Sequence, residues 1–68
     1  MIDTRELKGA IAKRDMSQSQ VADNLGIATK TFYEKMKRGV FTSTEISAMI
    51  KLLSIEDPMR IFFPEFVT

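Results

Sequence analysis

The chain has 68 residues, 44% of them hydrophobic and 28% charged, and a formal net charge of +1. That length suits one thin-cored domain, because so short a chain buries only about 60% of the surface it exposes when unfolded. It contains neither cysteine nor histidine, which excludes disulfides, thiolate metal sites and the most common general base and zinc ligand.

The first predicted helix begins at Asp3, whose carboxylate can cap the amides two and three residues on, with Glu6 placed to complete a capping box. Leu7, Ala10, Ile11 and Arg14 follow at helical spacing, and the element ends near Asp15. Gly9 costs about 1 kcal/mol relative to alanine inside a helix and is expected to mark a close helix crossing. Ser17 with Gln20 reads as a second capping box, preceded by Met16 where a hydrophobic staple would sit. Val21, Ala22 and Leu25 supply this helix's apolar face, and Gly26 is its natural left-handed stop.

Ile27 and Ala28 lead into a third helix from Thr29 to about Lys37. Phe32 and Met36 share one face of it, while Thr29, Lys30, Tyr33, Glu34 and Lys37 populate the other, before Gly39 ends it. Thr42 with Glu45 forms a further capping box, followed by Ile46, Met49, Ile50 and Leu53 as the clearest amphipathic stripe in the chain. Asp57-Pro58 sets a capping acid before a proline at the first helical position, and a short fifth helix runs through Phe62 until Pro64 stops it. The expectation is five helices and no strand, in a single domain over residues 1–68.

Charge is unevenly spread along these elements. Residues 1–39 hold eight basic and five acidic residues, and residues 40–68 hold two basic and four acidic ones. The densest basic cluster is Lys30, Lys35, Lys37 and Arg38, where a field could steer a polyanion. The same residues would also suit an ordinary solvated helix face.

The run Ser17-Gln18-Ser19-Gln20-Val21-Ala22-Asp23-Asn24-Leu25-Gly26-Ile27 resembles the phage repressor and Cro-like (XRE-type) helix-turn-helix family, with the motif spanning about residues 17–38. The resemblance implies an all-α, five-helix, lambda-repressor-like domain whose third helix enters the DNA major groove. It implies Thr29, Lys30, Tyr33 and Glu34 at base edges, and Ser17, Gln18, Thr31, Lys37 and Arg38 at phosphates. It further implies a double-stranded operator, a homodimer to read it, and the cytoplasm of a bacterial host cell as the compartment. That compartment agrees with the lack of any membrane-length apolar run and with an N-terminus unlike a signal peptide.

Three positions depart from the family pattern. Where many members pair an arginine on the first helix with a glutamate on the third, this chain has Ile11 and Met36, so a dry apolar contact is expected. The loop from Gly39 to Thr42 is short and offers Val40 and Phe41 in place of basic residues. The C-terminus is apolar: Ile61 and Phe62 are expected to cover the core, and Phe63, Phe66 and Val67 to form a dimer or partner surface.

Two functions follow from this reading. One is a sequence-specific DNA-binding regulator similar to Cro. The other is a protein-binding modulator of repression, an antirepressor that complexes a phage repressor with the same fold. Enzyme activity, a cofactor, a metal, a small-molecule substrate and a membrane are not expected, since no nucleophile–base pair, phosphate loop or metal-ligand spacing is present.

Overall fold

A computed structural model describes residues 1–67. It contains α1 (Thr4–Lys13), α2 (Gln18–Leu25), α3 (Thr29–Arg38), α4 (Ser43–Leu52), α5 (Pro58–Phe62) and a 3-10 turn at Pro64–Phe66, with no strand among the described residues. The all-helical, five-helix expectation is met, and the 3-10 turn extends it past Pro64.

Local chemistry sets most helix ends. The Ser17 and Thr42 hydroxyls each accept from the amide three residues on, at 3.1 Å, and the Gln20 and Glu45 side chains return to the cap amides at 2.8 Å. Asp57 caps α5 ahead of Pro58. At α1 only half of the expected box forms. The Asp3 carboxylate accepts from the Glu6 amide at 3.2 Å, but the Asp3 amide donates to the Ile61 carbonyl at 2.8 Å and has no need of the Glu6 side chain. Gly26 and Gly39 stop α2 and α3 in the left-handed region, at φ of 74° and 70°, where a side chain is penalised.

Gly9 is a correction. It lies on the exposed side of α1, and a Cβ there would meet nothing within 4 Å, so no helix crosses closely at this point.

The core gathers one row of side chains from every helix. Leu7, Val21, Phe32, Met49 and Leu53 are its largest fully buried members, joined by Ile2, Ile11, Ala22, Met36, Phe41, Ile61 and Phe62. Ile11 and Met36 thus both lie in the apolar interior, and no buried polar or charged residue occurs among those described. Phe41, expected only as a loop residue, packs its ring on Phe32 with centroids 5.4 Å apart and planes at 53°. That tilted geometry is favoured by aromatic quadrupoles. Val40 beside it points outward.

Two long-range ties complete the frame. The Ile2 amide donates to the Gly39 carbonyl and the Asp3 amide to the Ile61 carbonyl, so the N-terminal segment straps the end of α3 to α5. Arg14 donates from Nε to the Leu53 carbonyl at 2.8 Å and from Nη2 to the Ser54 carbonyl at 3.3 Å. Its cation therefore sits at the C-terminal end of α4, where the helix dipole favours positive charge.

Candidate nucleic-acid interface

The candidate surface is built on α2 and α3, which pack against each other across the turn Gly26–Ala28. Ala28 occupies the cap position of α3 and makes no side-chain cap bond. The first turn of α3 is instead fixed by a hydrogen bond shared between the Ser19 and Thr29 hydroxyls, 3.1 Å apart and partly buried. Inward, Phe32 and Met36 anchor α3 in the core.

Outward, Lys30, Tyr33, Glu34 and Lys37 are exposed, and their spacing places them in one stripe along the helix. Tyr33 is 52% exposed, an unusual setting for a large aromatic side chain unless its surface has a use. None of these four side chains makes a hydrogen bond or ion pair among the described residues. Thr29 is half-buried at the head of the stripe, and its hydroxyl is already engaged by Ser19.

The expected phosphate-contacting residues do not form one group. Gln18 and Lys37 line a single cleft with Tyr33, Met36 and two residues of α1, Thr4 and Lys8. Arg38 lines a separate shallow depression with Lys35, Val40, Phe41 and Thr42. Thr31 is half-buried on α3, while Ser17 is exposed and its oxygen accepts the capping bond, which leaves its O–H free to donate.

Lys35 leaves the pool of free cations. Its Nζ donates to Glu45 Oε1 at 2.9 Å in a partly buried pair that ties α3 to α4. Burial disfavours the Glu45 charge, but the Thr42 amide, the Lys35 ammonium and the Thr42 hydroxyl outweigh it and hold the carboxyl below its ordinary value of 4.5. Sequence reading spent Glu45 on its own capping box and so missed the pair; nothing local signals a partner ten residues away.

Phe63, Phe66 and Val67 are all exposed, at 41%, 73% and 48%. They belong to the C-terminal turn rather than to the α3 stripe. Met1 adjoins this turn: its ammonium pairs with Glu65 and its side chain lies over Gly39.

Among the described residues no helix is long and apolar enough to cross a membrane, and no cluster of three or more acidic residues could hold a metal ion. No family model, curated protein or solved structure matches the chain.

Proposed function

We propose that this chain is a sequence-specific DNA-binding regulator of transcription, a repressor/Cro-like helix-turn-helix protein acting as a homodimer on a two-fold operator. The observation that carries this reading is the outward stripe of α3. Lys30, Tyr33, Glu34 and Lys37 stand exposed and without protein partners, on a helix whose other face is locked by Phe32 and Met36. Unpaired donors and acceptors on a rigid helix suit base edges, because side chains already bonded within the protein have less to offer a base pair.

Each residue has a distinct task in this reading. Lys30 donates to guanine O6 and N7, and Glu34 accepts from the cytosine amino group. Thr29, its hydroxyl held by Ser19, offers its methyl group to a thymine methyl. Gln18 and Lys37 grip phosphates on one flank and Arg38 on the other. One such domain reads few base pairs, so two copies on half-sites about one helical turn apart are required.

Selection from a pool of random duplexes tests the reading. The expected result is enrichment of a two-fold site whose binding falls on Lys30→Ala or Glu34→Ala at unchanged melting temperature. Failure to enrich any sequence, or enrichment insensitive to both substitutions, overturns it.

A second reading rests on the exposed Phe63, Phe66 and Val67: capture of a phage repressor, with the chain acting as an antirepressor. Mixing the protein with a repressor encoded beside it and sizing the products separates the two. A complex that Phe66→Ser abolishes, formed by a protein that binds no DNA alone, favours the second.

A further inference from the structure

The cleft lined by Thr4, Lys8, Gln18, Tyr33, Met36 and Lys37 has a volume of about 400 Å³ and is walled by three helices. Thr4 and Lys8 lie one turn apart on α1, Tyr33 and Lys37 one turn apart on α3, and Gln18 opens α2. Met36, almost fully buried, supplies its apolar lining.

The charge in this cleft is unbalanced. Lys8 and Lys37 both line it and no acidic residue does. The only ion pairs among the described residues are Met1 with Glu65 and Lys35 with Glu45, so neither cleft lysine has a protein counter-charge. Two like charges in one recess repel, and an anion between them reverses the sign of that interaction. The remaining polar side chains can all donate: the threonine and tyrosine hydroxyls and the glutamine amide. None of them hydrogen-bonds within the described protein. Five donor-bearing side chains from three helices fit an anion whose oxygens diverge in several directions, as those of a phosphate do.

We propose that this cleft seats a backbone phosphate of the DNA strand flanking the groove that α3 enters. The proposal rests on the DNA-reading function above and deepens it. Thr4 and Lys8 of α1 join the phosphate contacts, and Tyr33 moves from the base edges to the backbone. The spacing along α3 agrees: Lys37 lies two turns beyond Lys30, about 10 Å along the axis. A major groove about 12 Å wide puts its bounding backbone within reach of the C-terminal half of α3 while the N-terminal half meets bases.

The test is fluorescence anisotropy with a fluorescein-labelled, mixed-sequence duplex of two helical turns, titrated over a KCl series. Four proteins are compared: the unaltered chain, Lys8→Ala, Lys30→Ala, and Lys13→Ala, which removes an α1 lysine outside the cleft. Loss of one phosphate contact lowers the slope of log K against log[KCl] by about 0.9. Lys8→Ala is expected to show that drop, with unchanged melting temperature, while Lys13→Ala retains the parent slope. If Lys8→Ala and Lys13→Ala behave alike while Lys30→Ala still weakens binding, the phosphate seat is overturned and the DNA reading stands. If the unaltered protein binds no duplex even at the lowest salt, both are overturned.

Discussion

The α2–α3 pair and the closure of the N-terminal segment onto Gly39–Phe41 and α5 are built by opposite means. The pair is held by short-range chemistry: the Ser17–Gln20 box, the left-handed Gly26 and the Ser19–Thr29 hydrogen bond. The closure depends on backbone bonds from Ile2 to Gly39 and from Asp3 to Ile61, over the buried rings of Phe32 and Phe41. Local bonds therefore fix the angle at which α3 is presented, whereas distant burial supplies the stability. A small domain can vary the outward residues of such a helix at little cost only because its stability is generated elsewhere.

The largest test of that division is Phe41→Ala. It removes a buried ring and its tilted contact with Phe32, and should cost about 3–5 kcal/mol. In so thin a core this leaves little folded protein, as circular dichroism on heating would register. A loss under about 1 kcal/mol would mean that the closure contributes little and the division is wrong.

The two left-handed glycines sharpen the comparison. Gly26→Ala incurs only the conformational penalty, about 1–2 kcal/mol, since open space surrounds that position. Gly39→Ala incurs the same penalty and also pushes a Cβ to 2.9 Å from the Met1 Cγ. Urea denaturation should therefore rank Gly39→Ala as the more destabilising. Equal midpoints would show that the exposed Met1 side chain moves aside freely.

Acid provides a milder probe, directed at the tie between α3 and α4. The Glu45 carboxyl is held below 4.5 in the folded protein. Its contribution to stability is therefore complete above its unfolded-state pKa and is lost as pH falls through the lower folded value. Melting temperatures should decline below about pH 4.5, and Glu45→Gln should flatten part of that decline. An unaltered acid profile in the variant would remove Glu45 from the account. At the bottom of the scale, Lys30→Ala should shift stability by no more than about 0.5 kcal/mol. A larger loss in a thermal melt would mean that the outward stripe is structural after all.

The same contrast explains what could be read from sequence. Ser17, Gln20, Gly26, Gly39, Thr42, Glu45 and Asp57 are legible because caps and stops act within a few residues. Apolar spacing likewise identified Phe32, Met36, Met49 and Leu53 as core. Arg14 reaches carbonyls 39 and 40 residues away, and no local pattern encodes that. The half-formed box at Asp3 depends on an α5 carbonyl, and the open surroundings of Gly9 depend on where neighbouring helices do not pass. The polar stripe of α3 was visible as periodicity. The Thr4–Lys8 wall of the cleft was not, because it exists only once α1 is laid beside α3.

The strap also bears on connectivity. With Met1 paired to Glu65, the two ends of the described chain lie side by side, and a few flexible residues would bridge them. Cutting the backbone instead at the exposed Glu56, between α4 and α5, would reorder the sequence while sparing every helix. The domain is in this sense close to a ring, and circular permutation is a rearrangement its geometry already permits.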